Sequence, residues 1–247
     1  MTTPFEDSFD RPAGVLASSL PPSAPASSDA TPLGEGGPTE LAKGNPLLTD
    51  AASAPDGQIY VQNGGLGPEW HQAGTSAWHI ESGRLCGQSA HNHGVWLRRT
   101  LPVNARIEFD AISDSPDGDL KAEVWGDGQS AATSLSYTNA TSYLTVLGGW
   151  KNTFHVLARM NEHGTDRKEI KIDPTSDDPL EKPVTRGQSY HFKIERSDGK
   201  TVHWFVDGLE YLSYVDPQPL AGIGHDHFGF NDWEVKVCFD NVKVTPL

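Results

Sequence analysis

The sequence predicts an all-β domain built from two antiparallel sheets packed face to face. Three observations carry this. First, residues 188–214 read as a three-stranded meander. Tyr190, Phe192 and Ile194 alternate with His191, Lys193 and Glu195, Val202, Trp204 and Val206 form a second row, and a third strand follows over 209–214. That period of two marks strands with one buried face. Second, the joins are Ser197-Asp198-Gly199-Lys200 and Asp207-Gly208; Asp-Gly tolerates the positive φ of tight hairpins. Third, the same alternation is spread evenly from Trp70 onward, without the period of any ordinary helix, and seven Trp, nine Phe and six Tyr supply bulky side chains for a two-sheet core.

In chain order, Phe5 and Phe9 stand among acidic residues and mark residues 1–12 as a short edge strand that pairs with the chain's end. The composition then changes. Between residues 13 and 55 Pro, Ser, Ala, Gly and Thr dominate and no aromatic residue occurs, so little apolar surface offsets the entropy of ordering. Gln58-Ile59-Tyr60-Val61 is a brief β-like run. Residues 13–65 therefore read as one long insertion in the first loop, a solvated linker or else a lid or protein-docking arm. Trp78 and Ile80 lead into the Ser82-Gly83 turn and Leu85, and Val95 and Leu97 share one side of the next strand. Ile107, Phe109 and Ala111 alternate with Arg106, Glu108 and Asp110. After the turn cluster at 114–118, Leu120, Ala122 and Val124 alternate with Lys121, Glu123 and Trp125. Two more strands, 143–147 and 153–159, flank Gly148-Gly149-Trp150-Lys151-Asn152, and 173–183 is an acidic loop with Pro. The expectation is a single domain over 1–247, with 1–12 as its first strand and 66–247 as the remainder after the insertion.

A net charge of −14 argues against nucleic acid and anionic membranes as partners. No apolar run is long enough to cross a bilayer. The N-terminus lacks a basic region followed by an apolar core, so a cytoplasmic protein is expected, with export by another route left open. Cys86 and Cys238 are the two cysteines, too few for a disulfide framework. Each reads as a small buried side chain, and a bridge between them requires that their strands be neighbours.

Tyr190, Ile194 and Arg196 followed by Val202, Trp204 and Val206-Asp207-Gly208 form one signature. Phe228-Gly229-Phe230-Asn231-Asp232-Trp233 and Phe239-Asp240-Asn241-Val242 form a second. The third is split: Phe5 to Arg11 on one side, and Leu66 to Trp70, Trp78-His79-Ile80 and Gly83-Arg84-Leu85 on the other. Together they resemble the bacterial type of the concanavalin A-like lectin/glucanase domain, over residues 3–12 and 66–247. The resemblance implies a jelly-roll sandwich that binds its ligand on a concave face. Lectin-like domains are often exported, so it pulls against the reading of the N-terminus. The glucanase branch carries Glu-x-Asp-x-x-Glu on one strand. The nearest match is Glu108-Phe109-Asp110-Ala111-Ile112-Ser113, where Ser113 replaces the last carboxylate and Glu108 and Asp110 read as a solvated outer face. The Arg-rich and Gln-x-His strands of the alginate-lyase branch are absent. No catalytic residue is therefore assigned, and a non-catalytic carbohydrate-binding module is expected. A glycan hydrolase or lyase with unrecognised catalytic residues is the alternative, and a structural docking module the third.

His91-Asn92-His93 and His225-Asp226-His227 each place two imidazoles on one strand face if extended, which could suit a transition metal. Calcium, the ion the resemblance suggests, would draw on Asp114, Asp117 and Asp119, though Asp-Gly turns account for these residues equally well and no cofactor is required. The candidate ligand surface is Trp150, Asn152, Arg159, Glu162 and His163, with Asn231, Asp232 and Trp233 near the C-terminus. Indole faces stack on sugar rings, and amide, carboxylate and guanidinium groups pair with hydroxyls. The competing account is that both Trp residues are core and the polar groups satisfy loop backbone.

Overall fold

The computed structural model describes residues 1–13, 51–53, 59–61, 63–75 and 77–247. The insertion expected at 13–65 lies mostly outside the described residues. Within it, Ala51–Ser53 (β1) pairs antiparallel with Ile59–Val61 (β2).

Two sheets form the body. The first is made of Phe5–Asp7 (the N-terminal strand), Trp78–Glu81 (β4), Arg84–Gly87 (β5), Ala105–Ser113 (β7), Ser189–Arg196 (β12), Thr201–Val206 (β13), Leu209–Val215 (β14) and Val237–Pro246 (β16). Its order is β14-β13-β12-β7-β16-β5-β4. The N-terminal strand pairs with the second half of β16, Phe5 opposite Val244 and Asp7 opposite Val242, while β5 pairs with the first half, Leu85 opposite Phe239. Two parts of the split signature, Phe5–Asp7 and the strand of Leu85, thus lie along one edge of the same strand, whereas Trp70 belongs to the second sheet. The meander is β12–β14, and Asp207 and Gly208 take φ of 50° and 82° in its second turn, the positive pair a tight hairpin needs.

The second sheet contains Trp70–Gln72 (β3), Val95–Leu97 (β6), Leu120–Gly126 (β8), Tyr143–Gly148 (β9), Phe154–Arg159 (β10), Lys168–Lys171 (β11) and His227–Asn231 (β15), in the order β11-β10-β9-β8-β15-β6-β3. Aromatic side chains join the sheets. Phe109 of β7 lies 4.8 Å from Phe192, 5.0 Å from Phe230 and 6.0 Å from Phe239, ring to ring, and Phe230 stacks on Phe239 at 3.9 Å. Burying each such side chain contributes roughly 1.5–3 kcal/mol.

Two expectations change. Trp125 does not share the face of Lys121 and Glu123. The register of β8 against β15 slips so that Phe228 pairs with Val124 and His227 with Gly126, leaving Trp125 as the extra residue at φ 54°. This bulge turns the indole into the main core, where it donates to the Pro102 carbonyl at 3.0 Å and lies 3.9 Å beneath the Arg196 guanidinium. Cys86 and Cys238 are not separate thiols either. They are register partners on β5 and β16 and form a disulfide; neighbouring antiparallel strands supply the proximity the sequence could not.

Candidate functional site

Strands β9 and β10 show which face of the second sheet carries the site. Tyr143, Leu147 and Leu157 belong to the main core, whereas Leu144, Val146, Val156 and Ala158 form a second, smaller cluster with Tyr137 and Ala140. The outward face is therefore covered, at its middle, by the segment 127–142. Tyr137 fastens this cover. Its hydroxyl donates to the Glu123 carboxylate at 3.0 Å, which also accepts from Ser142 Oγ at 2.5 Å and Asn231 Nδ2 at 2.6 Å. Burial pushes the Glu123 carboxyl up to about 7, although all three donors favour its charged form.

Beside that cover the face opens into a cleft of about 480 Å³, a size typical of ligand sites. Its lining includes Trp150, Trp233, Leu135, Lys121, Glu162 and His163. They come from several places. Trp150 sits on the connection between β9 and β10, a helical turn (α1, Gly149–Asn152) in which Trp150, Lys151 and Asn152 all take φ of 50–57°. Glu162 and His163 follow β10, Trp233 follows β15, and Leu135, which is 83% exposed, stands on the covering segment. Trp150 and Trp233 are both half-buried. Trp150 meets the Phe154 and His163 rings edge-on at 6.3 and 5.5 Å, and the Arg167 guanidinium lies 4.7 Å from its centroid. Trp233 meets His91 edge-on at 5.0 Å.

The floor is a buried ion cluster. Lys121 Nζ lies 2.9 Å from Glu162 Oε1, 3.4 Å from Asp119 Oδ1 and 3.1 Å from Asn92 Oδ1. Burial pulls its pKa down, but the charges of Asp119 and Glu162 outweigh that and raise it overall. Burial raises Asp119 despite the ammonium. Asp232, buried behind the floor, is raised by burial to about 7; its Oδ2 accepts from the Ala90 amide at 3.2 Å and its Oδ1 has no hydrogen-bond partner. The loop 89–92 is sewn to 231–233 by His91 N donating to the Trp233 carbonyl and Asn92 N to that of Asp232.

Of the eight residues singled out from sequence, Trp150, Glu162, His163 and Trp233 meet at this cleft. Asn152 does not line it. Its amide donates to the Pro116 and Val184 carbonyls and accepts from the Val184 amide, holding the turn that presents Trp150. Arg159 stands opposite Tyr143, on the inner face, and pairs with Asp216 at 2.7 Å. Asn231 and Asp232 lie buried beneath the surface. Sequence reasoning missed Lys121, Asn92 and Leu135 as cleft residues, and Glu123 and Tyr137 as supports. Lys121 and Glu123 alternate with apolar neighbours as any solvated strand face does; only the cover at 127–142 distinguishes them.

The other candidates part company. Among the described residues, no group of three or more His, Cys, Asp or Glu could hold a metal ion. His93 contacts the Ala73 carbonyl and His225 the Thr141 carbonyl. Asp114 pairs with Arg186, Asp117 lines the cleft, and Asp119 holds Lys121. Glu108 and Asp110 lie on the first sheet, part-exposed, with His191 near both.

No family model matches the chain, and no curated protein sequence does. Among solved structures it is similar to the carbohydrate binding module CBM66 from Bacillus subtilis, at 18% identity over 72% of this chain and 96% of that one, with a TM-score of 0.53. It is also similar to a beta-glucanase from Bacillus licheniformis, at 10% identity over 72% of this chain and 92% of that one, with a TM-score of 0.49. At such identities the likeness concerns the fold, a jelly-roll sandwich of two antiparallel sheets. The resemblance read from the sequence to concanavalin A-like domains holds at that level.

Proposed function

We propose that this domain binds carbohydrate in the cleft between Trp150 and Trp233 without cleaving it. One observation carries the proposal: two half-buried indoles line a cleft whose floor is a cluster of hydrogen-bonding groups, Lys121, Asp119, Glu162 and Asn92. Stacking platforms beside convergent polar groups suit a polyhydroxylated ring. The fold it shares with a carbohydrate binding module is consistent with this. A glycan array followed by titration calorimetry tests it. Trp233→Ala should weaken binding of any glycan found by at least tenfold while the thermal midpoint moves little. Wild-type-like affinity in both Trp233→Ala and Trp150→Ala would remove the cleft from consideration.

A hydrolase or lyase would draw on Asp119, whose raised pKa suits an acid, beside Glu162. Both carboxylates are engaged by one ammonium, which favours a structural use of the pair. Release of reducing ends or unsaturated products from a polysaccharide panel would reverse the choice. Pull-down with and without residues 13–65 tests a docking role for that segment. For the compartment, the Cys86–Cys238 disulfide favours an oxidising one, against the cytoplasmic expectation; counting free thiols in protein taken directly from cells tests this.

A further inference from the structure

The charges around the cleft are unequal, and they bear on which carbohydrate it accepts. Asp117, Asp119, Glu162 and Glu234 line it, against Lys121, Lys151 and, when protonated, His163. Carboxylates therefore outnumber cations even with the imidazole charged. The one cation on the floor is also committed. An ammonium has three donors, and Lys121 directs its charge at Glu162, Asp119 and Asn92, at 2.9, 3.4 and 3.1 Å. Nothing is left on it for an incoming anion. Glu162 is engaged through Oε1 alone. Its Oε2 is 3.9 Å from His163 Nε2, beyond hydrogen-bonding reach. Asp119 uses its second oxygen to accept from the Trp233 amide at 3.2 Å. The acceptor surplus thus falls at Glu162 on the floor and at Asp117 and Glu234 on the walls. A ligand carboxylate entering here would meet a majority of like charge and a committed ammonium on the floor, with exposed Lys151 on the wall as the one ammonium left to answer it, while a ligand ammonium would meet acceptors on the floor and on the walls.

We propose that the cleft selects amino sugars carrying a protonated amine over uronic acids. This rests on the cleft being the carbohydrate site. The probes are three oligosaccharides of equal length: a glucosamine oligomer, its N-acetylated counterpart, and an oligouronate, titrated in mildly acidic low-salt buffer. The glucosamine oligomer should bind about tenfold more tightly than the N-acetylated one, the range of one charge-assisted hydrogen bond. Oligouronate should bind weakest. The amine preference should shrink in high salt and in the double variant Asp117→Asn/Glu234→Gln, which removes two wall carboxylates and leaves the Lys121 cluster intact. Equal binding of glucosamine and N-acetylglucosamine oligomers, or tighter binding of the oligouronate, overturns the selectivity but leaves carbohydrate binding standing if Trp150→Ala and Trp233→Ala still abolish it. Failure of all three probes, together with a blank array of neutral glycans, overturns both.

Discussion

Glu123→Gln should change how stability depends on pH. The Glu123 carboxyl is 1% exposed and is raised by burial from 4.5 to about 7. Its folded pKa lies above the unfolded one, so the native state binds more protons between these values. Stability therefore falls as pH rises from 4.5 through 7, and the loss attributable to this group is about 3 kcal/mol, at about 1.4 kcal/mol for each unit. Glutamine suits the site because two of its three partners are hydroxyls, Tyr137 and Ser142, which accept as well as donate. The amide oxygen can keep the bond from Asn231 Nδ2. Asp232, raised to about 7, acts in the same direction and is unchanged in the variant. Urea unfolding across this pH range, at a common m-value, should show the variant gaining about 3 kcal/mol on the wild type between pH 4.5 and the alkaline side of 7. A constant difference between the two proteins across that window would refute the buried charge.

Reducing the Cys86–Cys238 bridge, or replacing both residues by Ser, should lower stability by about 2–5 kcal/mol, because it closes a loop with a sequence separation of 152; an unchanged melt in reductant would mean the bond does not form. Arg196→Lys should cost about 3 kcal/mol, since the guanidinium donates to the Val103 and Leu220 carbonyls while stacked on Trp125, and a point charge cannot do both; denaturant midpoints check it. Removing residues 1–12 takes Phe9, 1% exposed, and Phe5, 7% exposed, from the core. About 3–5 kcal/mol should be lost for each, and a truncated protein that melts like wild type would exclude the strand from the fold. Lys151→Gly, at φ 56° and ψ 55°, should raise stability by about 1 kcal/mol through relief of left-handed strain, read as a higher melting temperature.

The strands were legible because they alternate. Residues 190–194 and 202–206 show burial in every second position, as their sequence does. The split first strand was legible because Phe5 and Phe9 are conspicuous in an acidic stretch. Trp125 was misplaced because alternation assumes one residue per register step, and a bulge inserts one. The disulfide depends on which strands are neighbours, and β5 meets β16 across a separation that local pattern does not encode. At the cleft, the side chains that project from loops, Trp150, Glu162, His163 and Trp233, stood out in the sequence through their chemistry. Those on the strand floor were not. Lys121 belongs to a face that looks solvated until Tyr137 folds over its neighbour Glu123, and nothing periodic in 127–142 announces a cover.

The connection between β9 and β10 explains why Trp150 stands at the cleft. Three consecutive non-glycine residues in the left-handed region cost roughly 1–2 kcal/mol apiece, and a tight hairpin needs only a pair of such positions, which Asp-Gly tolerates. The turn persists because its surroundings over-determine it. Asn152 donates to Pro116 and Val184, Thr153 Oγ1 donates to the Trp150 carbonyl, and the Asp119 amide donates to the Gly148 carbonyl. The contact is close enough to require glycine at 118, where a Cβ would fall 2.5 Å from the Gly148 oxygen. These bonds tie the turn to the segment that precedes Lys121, so the indole and the ion cluster are set by one piece of structure. Strain of this kind concentrates where geometry serves a ligand.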